Sequence, residues 1–558
     1  MIDASCKASN ISATGEGMKT ITRLKGGRLY DPKHQRNGDI ADVWLCDGKV
    51  ITAPAQFDEH EIHTIDVTGQ IVMPGGVDMH CHVVGPKVNA ARGMQPSQRF
   101  VPYSAPAGVV PGAVATGNLF AAMGYTTVVD AAVSGVQTRL AHLEFANTPH
   151  LDKAFLTLLG NHQYILEHLA SGSQEKVTEF VQWALSGFGS WGVKIVNPGG
   201  VENWKQISRH TDQQFDQPVQ GYGVTPRQIV NGIANAVETL QLPHPVHIHC
   251  NNLGVTGNWK TTQQTIESLN GLRGHIAHLQ FHSYGGDRND PSTFCSAVPQ
   301  LLEVLKQNPE ISFDVGHILP GQSFSITGDA MFADHLAELT GGRWYSTDVE
   351  QESSCGVMPG EFKPYKTLVH AVQWAIGLEW YLMMTDPTRI ALTSDHPNGG
   401  AFTRYPEMIH LLMSRSLREE MLSRMPAEVA SKTNLSQLTR EYTLAEIACI
   451  TRTTPAQLLG MPNKGHLGPG ADADVTIYQP NEDITAMFQR PALVLKQGNL
   501  IARDGDLVSE TAYGKLMSAE CLETSIDLPH IEQWFQNNAT MSAATYRNAG
   551  SMACPTSS

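Results

Sequence analysis

Two hydrophobic rhythms divide the chain. Over 18–75, short stretches of β-prone residues read as strands: Arg28-Leu-Tyr, Asp42-Val-Trp-Leu-Cys, Lys49-Val-Ile and Thr64-Ile-Asp-Val. The same rhythm returns at Ala473-Asp-Val-Thr-Ile-Tyr and Ala492-Leu-Val-Leu-Lys. Between these ends, apolar strand runs alternate with helical periodicity, the helices including 226–240 and 411–425. The strand runs fall at 72–82, 128–130, 154–161, 188–198, 245–252, 274–284, 311–317 and 389–398. Strand and helix in regular alternation imply a parallel sheet covered by helices, and a (β/α)8 barrel accommodates the whole series.

The ends of those strands carry the chemistry. Val72-Met-Pro-Gly-Gly-Val-Asp-Met-His-Cys-His ends in His80 and His82, which share a strand face because side chains alternate with period two. Two imidazoles converging at a strand end suit a divalent transition metal, zinc first. Lys194 sits in the otherwise uncharged run Gly-Ser-Trp-Gly-Val-Lys-Ile-Val-Asn-Pro. His247 and His249 follow in Pro245-Val-His-Ile-His-Cys-Asn-Asn, then His275, His278 and His282, and Asp395 closes Ile-Ala-Leu-Thr-Ser-Asp-His-Pro-Asn. His-x-His, Lys, His, His, Asp on successive strands is the order a binuclear metallohydrolase barrel needs, with catalytic groups at the C-terminal ends of its strands. A desolvated lysine has a lowered pKa and is nucleophilic, so Lys194 can add carbon dioxide and become an anionic two-oxygen bridge. Asp395 can take a proton from the attacking water and deliver it to a leaving nitrogen. The plainer alternatives are a core histidine beside a surface one, a snorkelling Lys194 and a helix- or turn-capping Asp395.

Composition narrows the class. A chain of 558 residues that is 41% hydrophobic and 17% charged supports a large core and more than one domain. A formal charge of -15 with no basic run argues against a nucleic-acid surface. Nine cysteines without a CxxC pair fit reduced thiols in a cytoplasm better than a disulfide framework. The uncharged stretch between Arg99 and Asp130 is broken by Pro102, Pro106 and Pro111, so it is not a membrane span. Residues 1–17 are small and polar, unlike a signal peptide, and are expected to be a disordered extension, or to precede a native start at Met18. The Ser/Ala/Thr-rich tail after Asn537 is expected to fray.

Five motifs add a family resemblance. His80-Cys-His-Val-Val-Gly-Pro-Lys-Val-Asn-Ala-Ala-Arg92, Val193-Lys-Ile-Val-Asn-Pro-Gly-Gly200 and His249-Cys-Asn-Asn-Leu-Gly254 are three of them. The others are His278-Leu-Gln-Phe-His-Ser-Tyr-Gly285 and Thr393-Ser-Asp-His-Pro-Asn-Gly399. Together they resemble the family, within the amidohydrolase superfamily, of the A subunits of formylmethanofuran dehydrogenase and of the formyltransferase/hydrolase complex. The resemblance spans roughly Leu24 to Pro480.

The resemblance implies a barrel over 76–455, and a small β-sandwich formed by 18–75 with 456–515, followed by a C-terminal extension over 516–558. It implies two zinc ions, with His80 and His82 on one, His249 and His278 on the other, and N6-carboxylated Lys194 bridging them. Asp395 would be both metal ligand and catalytic carboxylate. Periodicity leaves His247 against His249, and His278 against His282, open. On the substrate side the candidates are Lys87, Arg92, His282, His396 and Asn398. The implied reaction is hydrolysis of the N-formyl amide of a methanofuran- or methylofuran-type carrier to formate and amine, in one-carbon metabolism. The implied partners are the B, C and D subunits of such a complex, the last of them a formyltransferase. The alternatives are a dehydrogenase component condensing formate with the amine, a cyclic-amide hydrolase, and a barrel-shaped scaffold without catalysis.

Overall fold

The computed structural model of this chain describes residues 21–58, 60, 62–95, 108–206, 214–341, 345–347, 352, 355–508, 514–519 and 528–547. The expected 1–17 extension and the Met18 start lie outside the described residues. Both ends of the chain join in one nine-stranded mixed sheet. Its N-terminal strands are β1 (Ile21–Asp31), β2 (Arg36–Cys46), β3 (Lys49–Ile51), β4 (Ile62–Asp66) and β5 (Ile71–Pro74). Residues from both termini, including Leu24, Val43, Val50, Val475 and Leu495, share a single apolar cluster. Burial of that cluster holds the two distant ends together.

Eight parallel strands form the barrel. They are β6 (Gly76–Cys81), β7 (Tyr125–Val133), β8 (Asp152–Leu158), β9 (Gly192–Val196), β10 (Val246–His249), β11 (Gly274–Ile276), β14 (Ile311–Asp314) and β18 (Ile390–Ala391). A hairpin of β12 (Tyr284–Asp287) and β13 (Asp290–Ser296) follows β11. Every residue of β6 to β9 is buried, as expected of strands covered on both faces. Closure between first and last strands comes from the His82 amide, which donates to the His396 carbonyl at 2.7 Å. The C-terminal side of the terminal sheet is β19 (Val475–Tyr478), β20 (Leu493–Lys496), β21 (Asn499–Arg503) and β22 (Asp506–Leu507). There β19 runs antiparallel to β5, which leads directly into β6.

One insertion shapes the mouth of the barrel. After β14, strands β15 (Gly321–Thr327), β16 (Tyr345–Thr347) and β17 (Cys355–Phe362) form a three-stranded antiparallel sheet ahead of the helix Leu368–Met383. Alternate β15 residues Ser323, Ser325 and Thr327 face the cavity above the barrel.

Two expectations need correction. The helix expected over 411–425 is two helices, Tyr405–Met413 and Arg415–Ser423. Ser414 breaks them: its backbone is extended, and its hydroxyl accepts from the Leu417 amide to cap the second helix. Nor does the chain fray at once after Asn537. Tyr546, in the short helix Ala543–Arg547, is 2% exposed and packs 5.0 Å from Phe535 and 5.9 Å from Phe188. By contrast, the helix expected over 226–240 is present as Pro226–Thr239, started by a Thr225/Gln228 capping box with proline behind it.

Candidate active site

The six residues that the family resemblance implies as ligands converge on one cavity of about 600 Å³: His80, His82, Lys194, His249, His278 and Asp395. All are buried. The Asp395 Oδ1 atom lies 3.2 Å from His80 Nε2 and 3.1 Å from His82 Nε2. Ligand atoms of His80, His278 and Asp395 fall within 4.8 Å of one another, and so do those of His249, His278 and His282. Lys194 stands in the middle of β9, in register with His247 on β10. Its Nζ has no hydrogen-bond partner, and neither do His80 Nε2 or His278 Nδ1. Buried polar groups are normally paired, so this concentration of unpaired donors and acceptors points to a ligand. Nitrogen and carboxylate donors in this arrangement suit divalent metals.

Backbone geometry aims several of these groups. His278 and Asp395 have φ of 33° and 49°, a left-handed conformation that costs a non-glycine residue about 1–3 kcal/mol. Gly316 explains why the neighbouring loop has no side chain. With φ of +66°, a Cβ there would fall 2.4 Å from the His278 Cβ and 3.4 Å from that of Asp395. The loop therefore wedges between two site residues only as glycine.

Burial and two carboxylates set the electrostatics of the floor. Burial works against protonating His80, yet the Asp314 and Asp395 carboxylates outweigh it and raise the ring to about 9. Burial lowers the Lys194 amine to about 8, opposed by the same two carboxylates. Burial also pushes the Asp395 carboxyl up, but His80 and His82 more than reverse this and hold it well below the usual carboxylate range. His249 and His278 are both lowered, first by burial, which keeps their rings neutral and their lone pairs available.

The alternatives that periodicity leaves open occupy different places in the structure. His249 lines the cavity, whereas His247 lies beneath it against His80. His278 lines the cavity and belongs to both donor groups; His282 is wholly buried and does not line it. Lys87 reaches the cavity, with Nζ donating to the Ala132 carbonyl at 2.7 Å. Asn398 reaches it too, donating to Asp395 Oδ1 at 3.0 Å.

Three substrate-side expectations do not match the geometry. Arg92 is turned away, its guanidinium donating to the Val83 and Pro111 carbonyls, Asn89 and Glu144. His396 is buried behind Asp395, its Nδ1 accepting from the Phe402 amide. His282 is enclosed as described.

Several functional candidates carry no sequence motif. Asp314, at the end of β14, accepts from His80 Nδ1 at 2.8 Å. Asp329 Oδ2 lies 3.3 Å from His249 Nε2, and its Oδ1 accepts from Asn197 at 3.0 Å. Asp130 binds the Val83 and Val84 amides that follow His82. Asp314 ends a barrel strand in an uncharged run, the same signal that marks Lys194. Asp329 lies in the insertion and has no such signal.

Comparison with known proteins agrees with the geometry. The amidohydrolase family profile matches residues 63–502. The chain is 38% identical to protein FwdA of Methanocaldococcus jannaschii over 516 residues, 87% of this chain and 89% of that one. It is 39% identical to FhcA, the A component of the formyltransferase/hydrolase complex Fhc of Methylorubrum extorquens, over 517 residues, 90% of this chain and 91% of that one. The crystal structure of the Methylorubrum FhcABCD complex with methylofuran matches with a TM-score of 0.88 and 36% identity, covering 94% of this chain and 96% of that one. The chain therefore belongs to the amidohydrolase family and, within it, to the FhcA/FwdA group of complex subunits.

Proposed function

We propose that this protein is the hydrolase subunit of a formyltransferase/hydrolase complex and cleaves the N-formyl amide of a methanofuran- or methylofuran-type carrier to formate and free amine. The observation that carries the reading is the unpaired, buried Lys194 amine among His80, His82, His249, His278 and Asp395 at the cavity floor. The partners are counterparts of FhcB, FhcC and FhcD, one of them a formyltransferase, on likeness to the Methylorubrum complex.

His80 and His82 would hold one zinc, His249 and His278 the second, and carboxylated Lys194 and Asp395 would complete the set. Bound there, the metals supply a lowered water pKa and an electrophile for the formyl oxygen. Carboxylated, Lys194 would contribute negative charge and oxygen donors to them. Asp395, oriented by Asn398, accepts a proton from the attacking water and transfers it to the nitrogen as the C–N bond breaks. The immediate products are formic acid and the neutral amine; the acid then gives its proton to the amine, leaving formate and an ammonium, so atoms and protons balance. Lys87 sits where it can face the polar end of the carrier. Apolar Leu253, Phe281 and Phe332 and polar Ser323, Ser325 and Thr327 all line the cavity, a mixture suited to a flat ring with polar substituents. Likeness to FwdA is nearly as great as to FhcA, and the same groups serve condensation of formate with the amine by microscopic reversal.

The test supplies the purified complex with the formylated furan-amine, a hydantoin and dihydroorotate. Formate from the first alone supports the reading; ring opening of the cyclic amides without formate overturns it.

A further inference from the structure

Beneath the cavity floor the barrel is filled with hydrogen-bonded imidazoles. His80 Nδ1 lies 2.8 Å from Asp314 Oδ2 and 3.3 Å from His247 Nε2. His247 Nδ1 lies 3.1 Å from His244 Nε2, and His244 Nδ1 lies 2.8 Å from the Leu458 carbonyl. His275 Nε2 approaches the same Asp314 oxygen at 3.2 Å, its Nδ1 facing the Ser312 hydroxyl at 2.9 Å. The other Asp314 oxygen accepts from the His278 amide at 3.1 Å and the Thr393 hydroxyl at 2.7 Å. His80, His244, His247, His275 and Asp314 are all 0% exposed.

One arrangement of hydrogens satisfies the whole chain. The Leu458 carbonyl can only accept, so His244 carries its hydrogen on Nδ1 and accepts on Nε2. His247 must then donate from Nδ1 and accept on Nε2. The hydrogen it faces is on His80 Nδ1, where Asp314 also requires a donor. In the neutral form that a metal ligand requires, His80 is thus left with a bare Nε2, the atom that points into the site 3.2 Å from Asp395 Oδ1. Asp314 receives four donors, as many as a carboxylate accommodates, so it has no lone pair left for a cation. For the same reason the trio His80, His247 and Asp314, although close enough to hold a metal, is already filled by its own hydrogen bonds.

We infer that His244, His247 and Asp314 form a tautomer lock. These positioning residues hold His80 in the Nδ1–H form with Nε2 presented to the metal centre. The inference rests on the proposed function only in taking His80 as a metal ligand.

Zinc affinity of the metal-stripped complex, measured by chelator competition without substrate, tests it. Asp314→Asn places an amide donor where two imidazoles need an acceptor. His244→Phe keeps a ring but removes the anchor, and His244→Gln restores an acceptor for His247. Affinity is expected to fall about 10–100-fold in Asp314→Asn and His244→Phe, and to recover in His244→Gln. The melting point of each metal-free protein separates this from damage to the fold. Native affinity in Asp314→Asn, or an equal fall in both His244 variants with unchanged metal-free melting, overturns the lock. If His244→Phe does not fold, Asp314→Asn against native protein decides. A native complex that binds zinc tightly but releases no formate refutes the proposed reaction and leaves the lock standing.

Discussion

Asp395 touches more of the proposed chemistry than any other single side chain. One oxygen lies 3.1–3.2 Å from two imidazoles and accepts from Asn398, and its φ of 49° turns the carboxylate into the cavity. Asp395→Asn keeps the shape and removes the proton acceptor, so kcat is expected to fall about 10²–10⁴-fold with a smaller change in KM. Steady-state kinetics on formate release measure this, and an unaltered kcat would remove Asp395 from proton transfer. At this scale the sequence was informative where a charged or imidazole group interrupts an apolar strand. His80, His82, Lys194, His249, His278 and Asp395 all meet that description, and all line the cavity floor. Arg92 satisfied a motif but is spent on backbone carbonyls, because its contacts depend on a loop conformation that spacing does not encode.

The 395–399 loop shows how an element positions a residue. Gly399 is enclosed by backbone: an added Cβ would lie 2.6 Å from the carbonyls of His317 and Ser394 and 3.0 Å from that of Gly316. None of these atoms can swing away as a side-chain tip can. Gly399→Ala is expected to cost about 1–3 kcal/mol and to displace Asp395 and Asn398 together. Denaturant unfolding and formate kinetics should both register the change; a variant with native stability and rate would mean the loop yields without consequence. The eight barrel strands were legible because a buried parallel strand is a mostly apolar run bounded by turns. The 411–425 helix was overextended because apolar periodicity continues through Ser414, whose capping role depends on one hydroxyl. The β15–β17 sheet is harder to read, since in β15 only Phe324 and Ile326 supply the apolar half of an alternation with Ser323, Ser325 and Thr327.

For the whole molecule, the joint between barrel and terminal sheet depends on buried charge. Lys496 donates to Asp152 at 2.6 Å and to Asp474 at 2.7 Å; Lys464 binds the same two carboxylates and lies 2.8 Å from Asp472. Asp152 starts barrel strand β8, whereas Asp474 and both lysines belong to the C-terminal segment. Burial opposes ionisation of Asp152 and Asp474, but the two lysines outweigh it and hold both below the usual carboxylate range. Groups depressed in the folded state contribute stability above their unfolded pKa of about 4 and lose it as pH falls through their folded values. The cluster's share of the melting midpoint, read as native protein against Lys496→Met, is therefore expected to hold from neutrality to about pH 4 and then drop. Lys496→Met leaves two buried carboxylates undercompensated, at a cost of about 3–5 kcal/mol. A variant that melts like the native protein would show that the cluster is not a structural joint. The pairing of the two ends was legible in their shared strand rhythm, whereas the ion cluster was not, because Asp152 is 344 residues from Lys496.

The most direct measurement is formate released from the formylated furan-amine carrier by the intact complex, with native chain or with Lys194→Ala, alongside zinc content. Formate from the native complex alone, with zinc lost from the variant, is the expected result. Equal formate and equal zinc in both would contradict a metal centre bridged by Lys194.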